Sequence, residues 1–332
     1  PGKYSSDIGA ASASSCRDCV AGKYYEDMGA SRCIACAAGK YSSTTGAASS
    51  SLCSDCAAGR YSTTIGASAE TTCKACEAGK YYDSTGASSA SACKACGVGK
   101  YSTTIGAASE SMCVNCEAGK YSNISGAISI STCIACEVGK YSSGTAAFAC
   151  KECAPGKYSI AKGATTASTC KDCAAGKYND VMGAASTTAC KECPAGKYYD
   201  GTGATSALAC MACKAGKYND AIGSSSCTDC AAGKYTTAMG AASVSLCTDC
   251  ASGKYSTTVG SSSASTCEDC PAGKYYDGTG AAACKDCPTG KYYDGVGAAS
   301  ALACKDCPAG QYFDGTGAVS ISACKNCAAG KY

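Results

Sequence analysis

Thirty-four cysteines fall into seventeen Cys-x-x-Cys pairs, from Cys16/Cys19 to Cys324/Cys327, and each pair restarts the same short segment. The first cysteines of successive pairs are 20 residues apart in twelve steps and 17 apart in four. A fixed period of this length is the signature of an array of small units, each of which leans on its neighbours for stability. The chain therefore reads as one unit copied about seventeen times over residues 1–332.

Composition agrees with that reading. The 332 residues include no Trp, no His, only Phe148 and Phe313 as phenylalanines, and four leucines, Leu52, Leu208, Leu246 and Leu302. Most residues counted as hydrophobic are Ala, Cys and Tyr, and Ala buries too little area to build an aliphatic core of domain size. Cysteine and glycine at this density point to a disulfide scaffold, and disulfides in such number imply an oxidising, extracellular or cell-surface location. A formal charge of +3, from 29 basic and 26 acidic residues, leaves no electrostatic footprint for nucleic acid. No apolar run approaches the length of a membrane span. The chain starts at Pro1-Gly2-Lys3-Tyr4 and stops at the equivalent Gly330-Lys331-Tyr332, without initiator Met or signal peptide. We read it as a stretch of a longer protein, starting and ending mid-repeat.

Within the repeat, eighteen Gly-x-Tyr triplets occur, with Lys in the middle except at Arg60 and Gln311. The triplet glycine is expected where a Cβ would block a turn or a close approach to a disulfide. The triplet Tyr is expected to pack on a bridge of its own or the adjoining unit, with its hydroxyl outward. A second glycine follows five residues after that Tyr, except that Ala146 takes its place in one unit and Gly144 appears two residues earlier. Asp-Gly at 200–201, 277–278, 294–295 and 314–315 suits a type I′ hairpin turn, making Lys-Tyr and the stretch beyond the turn two very short strands. The 17-residue units lose three residues from the Ser-rich segment, which we read as an outward loop of one helical turn. The expected fold is thus an elongated solenoid or rod of small disulfide-rich repeats, with short β-hairpins and mostly irregular chain.

Three arrangements of the cysteines compete. The second cysteine of each pair can bridge the first of the next. Alternatively, Cys-x2-Cys-x13–16-Cys-x2-Cys approaches zinc-ribbon spacing, although an odd number of pairs leaves one unmatched. A redox Cys-x-x-Cys requires a single site on a βαβ scaffold, which seventeen copies do not provide.

The pattern Cys-x2-Gly-Lys-Tyr…Cys-x-x-Cys resembles the ephrin-receptor-like cysteine-rich repeat, and is similar to the opening submodule of tumour-necrosis-factor-receptor cysteine-rich domains. The resemblance covers essentially the whole chain. It implies an extracellular, rod-like array in which the cysteine before Gly-x-Tyr bridges the one that follows it. On this sequence that implies Cys19–Cys33, Cys36–Cys53, Cys56–Cys73, Cys76–Cys93, Cys96–Cys113, Cys116–Cys133, Cys136–Cys150 and Cys153–Cys170. It further implies Cys173–Cys190, Cys193–Cys210, Cys213–Cys227, Cys230–Cys247, Cys250–Cys267, Cys270–Cys284, Cys287–Cys304 and Cys307–Cys324. The submodules that carry ligand contacts in those receptors are missing, so receptor activity is not implied.

Catalysis is not expected: there is no histidine, and the second residue between paired cysteines is Asp or Glu in ten units but Ala in five. No cofactor or metal is expected either, since one carboxylate per Asp-Gly-Thr-Gly segment is too few for a calcium cage. The triplet lysines admit two readings, as solvated ammoniums whose stems cover the Tyr ring, or as a ladder that meets acidic groups of neighbouring chains or sulfated glycans. Asn123-Ile124-Ser125 is the only N-glycosylation sequon, so glycans are possible partners. Near-identical units offer the same surface repeatedly, which favours polymer-like assembly. The expected function is structural, in an extracellular filament, stalk or surface coat, a flagellar hair being one such structure. Partners would be copies of itself or other filament and matrix chains. The alternative is a spacer or ligand-binding ectodomain of a cell-surface receptor or adhesion protein.

Overall fold

The computed structural model describes residues 1–328, so the last triplet, Gly330-Lys331-Tyr332, lies outside the described residues. Pro1–Cys153 with Ile160–Thr169 make one compact unit; Ala154–Ser159 with the chain from Cys170 make another. The same local plan recurs inside each. Among the described residues there are seventeen separate two-stranded antiparallel ladders, each strand two residues long. Regular structure is therefore sparse and the rest of the chain is mostly irregular.

The strands are not paired as the Asp-Gly segments suggest. Lys40-Tyr41 runs antiparallel to Ser54-Asp55, with Lys40 opposite Asp55, so the partner strand is the dipeptide between the next two cysteines. Nor is Asp-Gly a type I′ turn. That turn needs positive φ at both central residues, and neither Asp200 nor Gly201 has it. The glycine instead lies under an aromatic ring. A Cβ on Gly201 would lie 2.8 Å from the Tyr199 hydroxyl, and one on Gly315 would lie 2.9 Å from the Phe313 ring. Gly278 under Tyr276 and Gly295 under Tyr293 repeat the arrangement. Glycine at this position thus accompanies an aromatic residue after the triplet Tyr, which folds back over it.

The Ser-rich segment forms a single 3-10 turn, present thirteen times among the described residues and missing from the loops Cys19–Cys33, Cys136–Cys150, Cys213–Cys227 and Cys270–Cys284. Those four are the 17-residue units, so the three deleted residues are the turn itself. Its serines have a local task. Ser49, for example, is extended and its hydroxyl accepts from the Ser51 N–H, satisfying a donor that so short a helix leaves free.

Successive loops are joined by backbone bonds. In the first unit Gly22 N–H donates to Ser42 O at 2.8 Å, Ser42 N–H to Ala67 O at 3.0 Å, and Gly46 N–H to Cys19 O at 2.7 Å. In the second unit Gly216, Thr236 and Gly240 make the equivalent bonds to Thr236, Ser261 and Cys213 at 2.8, 3.0 and 2.7 Å. A triplet Tyr also forms an isolated parallel bridge with an alanine of the next loop, as in Tyr24 with Ala47.

The triplet glycine does sit in a turn, with φ 88° at Gly22, but the group it lies closest to is a carbonyl and not a disulfide. A Cβ on Gly22 would sit 2.1 Å from the carbonyl oxygen of Gly66, two loops further on. Backbone thus packs on backbone, and the interior needs only small groups. It consists of half-cystines, the small residue after most second glycines (alanine, or Ser261), and the residue after the triplet Tyr, such as Ser42, Ser62 or Asn179. The polar members are satisfied locally: the fully buried Asn179 accepts from Val181 N–H and donates to Lys157 O at 2.9 Å. Burying a polar group without such bonds is costly.

The second glycines have φ between 65° and 84°, a left-handed conformation that glycine adopts without strain. Ala146 holds the same station at φ 58°, and it is the only non-glycine with positive φ among the described residues.

Candidate functional site

The repeated surface is the feature from which function has to be read, and the disulfides position it. Fifteen bridges join the second cysteine of one pair to the first of the next, from Cys19–Cys33 to Cys307–Cys324, with Cα separations of 5.5 to 5.8 Å. Cys153 and Cys170 are also in disulfide form. Cys16 and Cys327 have no bridging partner within these residues. Most second cysteines of a pair are at most 1% exposed, which puts their sulfurs out of reach of solvent reagents. Sulfurs in these bridges are not thiolate ligands. Among the described residues no group of three or more Cys, Asp or Glu could hold a metal ion.

The triplet lysines do not form a free cationic ladder. Wherever the residue opposite in the hairpin is acidic, the two are paired. This holds for ten lysines, including Lys40–Asp55, Lys140–Glu152, Lys157–Asp172 and Lys291–Asp306. Nine of these pairs span 2.6 to 3.1 Å, and Lys234 is in direct contact with Asp249 in the tenth.

Where the opposite residue is not acidic, several triplet cations turn elsewhere. Lys100, opposite Asn115, reaches Glu110 at 2.8 Å; Lys80 and Lys120, opposite alanines, reach Glu77 and Glu117. Arg60 donates to the Cys73 carbonyl. In the hairpin that has Gln311 in place of Lys, Asn326 replaces the acid, and the Gln311 amide donates to the Asn326 carbonyl oxygen at 3.0 Å. The cation and its partner have changed together.

A second row of charges was not singled out from the sequence. Lys at the first position between paired cysteines meets Asp two residues after the triplet Tyr, in Lys94–Asp83, Lys191–Asp180, Lys285–Asp277, Lys305–Asp294 and Lys325–Asp314. Four of these ammoniums also lie over Tyr rings, at 5.3 to 5.9 Å from the centroid. The lysine stacked on tyrosine is therefore this one rather than the triplet lysine. Hydrogen bonds from these lysines hold Asp83, Asp180, Asp277 and Asp294 below the ordinary aspartate range, and raise Lys94, Lys191, Lys285 and Lys305. The signal was available in the sequence as co-occurrence of Asp and Lys at two stations of the repeat.

Notches on the surface recur with the same composition. One of about 90 Å³ is lined by Tyr101, Lys120, Ile130, Cys116 and Cys133. Equivalent ones take in Tyr24, Lys40 and Cys53, or Tyr198, Lys217 and Cys227. Triplet Tyr rings therefore line the same notches as half-cystines of the adjoining loop. Asn123 is exposed, while the hydroxyl of Ser125 in its sequon donates to Cys96 O at 3.2 Å. No described helix is long and apolar enough to cross a membrane.

Buried disulfides, bonded stacks of loops and internally paired charges define an extracellular-type disulfide-rich repeat protein. The family model described as Tyrosine-protein kinase ephrin type A/B receptor-like matches residues 2–53, 165–210, 207–247, 258–301 and 273–324. The chain belongs to this ephrin-receptor-like family, a family of cysteine-rich repeats and not of enzymes. No curated protein matches the chain.

Proposed function

We propose that the chain is a structural segment of an extracellular filament, stalk or surface coat, and that it performs no catalysis. Carrying this reading is the sameness of what each loop presents: one hairpin and one bridge, held by the same backbone bonds, with a paired charge in most of them. A surface that repeats suits a partner that repeats. Selective recognition needs a station unlike the rest, with a pocket and convergent polar groups. Electron microscopy of the oxidised chain, and of the extracellular material that contains it, tests the proposal. Uniform fibres or sheets are expected; a dispersed monomer at millimolar concentration would contradict it.

The receptor or adhesion ectodomain remains the second reading, favoured by the match to a receptor-like family. In that case the array acts as a spacer. Sequencing the transcript on both sides of this segment discriminates, because a distinct ligand-binding domain and a membrane span are then required.

A further inference from the structure

Resting on the structural reading above, we infer that the station immediately before each second glycine is the contact by which one copy of this chain lies against another. In the second unit it holds Met182, Ile222, Met239, Val259 and Val296, which are 60% to 73% exposed. Turn residues on a solvated surface are ordinarily polar, so an exposed apolar side chain recurring at the same turn position is a departure from that pattern. The other residues at this station in the second unit are Thr202, Thr279 and Thr316. In the first unit the station holds exposed Ile8, Met28, Ile65 and Ile105, and threonine, serine or Lys162 at its other five occurrences.

The fold makes the station repeat in space. Gly223, Gly240, Gly260 and Gly297 each donate to the carbonyl of the second cysteine of the preceding loop, at 2.7 to 2.8 Å. The residue before each is carried outward at the same point of successive loops.

The area identifies the occupant. Each of these side chains offers on the order of 100 Å² when fully exposed. Five of them at about two-thirds exposure supply a few hundred Å², against roughly 800 Å² per partner in a standard stable interface. A compact partner touching one or two would bind weakly. A second copy of this chain carries the same station at the same spacing and engages the row many times over, so avidity replaces affinity. Charge does not oppose it, since triplet lysines of this unit that face an acid are already paired within their own hairpins.

The test is sedimentation velocity of the oxidised 332-residue chain across a concentration series. The wild type is compared with Met182→Thr/Ile222→Thr/Met239→Thr/Val259→Thr/Val296→Thr. Threonine already occupies the station in this unit, which keeps the variant foldable, and mass with and without reductant checks its bridges. A control, Leu208→Thr/Leu302→Thr, removes apolar groups that are 93% exposed on the 3-10 turns. The fivefold variant is expected to need at least about tenfold higher concentration to associate, while the control shifts by less than about twofold. If the fivefold variant assembles like the wild type, the station is not the interface and the filament reading stands. If the wild type stays monomeric at millimolar concentration, both fall.

Discussion

Two columns of glycine share positive φ but differ in what surrounds them, and a matched pair of substitutions separates the effects. Gly59 and Gly106 are in contact: a Cβ on Gly59 would lie 2.2 Å from the Gly106 carbonyl oxygen and 2.7 Å from its carbon. A Cβ on Gly106 would meet Ala75 Cβ at 3.3 Å and nothing closer. Both residues have similar φ, 78° and 73°, so alanine at either site incurs the same left-handed penalty of about 1–2 kcal/mol. Reduced freedom of the unfolded chain offsets roughly 0.4–1 kcal/mol of that. Gly106→Ala should therefore cost about 1 kcal/mol.

Gly59→Ala must in addition move backbone by about 1 Å to restore an ordinary carbon–oxygen distance of roughly 3.3 Å or more. The bonds Gly106 N–H to Cys76 O and Tyr82 N–H to Ala107 O lie in the displaced segment. Losing both adds about 2 kcal/mol. An array opens locally, so the assay is hydrogen exchange of the disulfide-intact chain, read at these amides. At tenfold per 1.4 kcal/mol, Gly106→Ala should accelerate exchange about fivefold and Gly59→Ala by a hundredfold or more. Equal acceleration by the two would refute the claim that carbonyl approach, rather than φ, fixes the triplet glycine.

Ala146→Gly relieves the one left-handed alanine; after the unfolded-state offset it should stabilise its loop by about 0.5–1 kcal/mol, seen as slower exchange at Ala146 and Ser122, which bond Cys116 and Ala147. Asp83, Asp180, Asp277 and Asp294 titrate below the ordinary 3.8, so their contribution is complete above that value and is lost as pH falls through the lower folded value. Their partner lysines are raised above 10.5, so that contribution is complete below 10.5 and is lost above it. Melting temperature against pH should accordingly be flat from about 5 to 9 and decline below about 4, whereas a decline beginning near pH 6 would contradict the pairing. Gln311→Lys and Asn326→Asp should be better together than the sum of the single changes, because only the double variant recreates the charge pair of the other hairpins; an additive cycle would deny the coupling.

Much of the fold was legible because it rests on short-range chemistry. Two-residue strands at Lys-Tyr and a removable turn in the Ser-rich segment follow from spacing and from comparing units of two lengths. What failed were inferences that needed to know which residue faces which. Asp200-Gly201 has the composition of a type I′ turn, yet Gly201 instead lies under the Tyr199 ring, which folds back over it. The aromatic residue after the triplet Tyr was visible in the sequence at six positions, and its match with Gly201, Gly278, Gly295 and Gly315 at four of them could have been noticed, Asp27 and Ser84 being the exceptions. Likewise, the triplet glycine is packed by a carbonyl from two loops away, a distance in sequence that no local rule covers.

The lysine ladder shows the same limit from the functional side. Counted along the chain, one cation per unit suggests a charged face awaiting a partner. Placed in the hairpins, ten of those lysines already have an acid opposite them, and where Gln311 replaces lysine it bonds Asn326 in the acid's place. An attraction completed inside each hairpin is not available to hold a neighbouring chain. What repeats and stays unanswered is apolar: Met182, Ile222, Met239, Val259 and Val296, standing out from turns whose backbone is fixed by bonds to the preceding loop. If copies of this chain cohere, salt should therefore affect them little, and the side chains before the second glycines should affect them most.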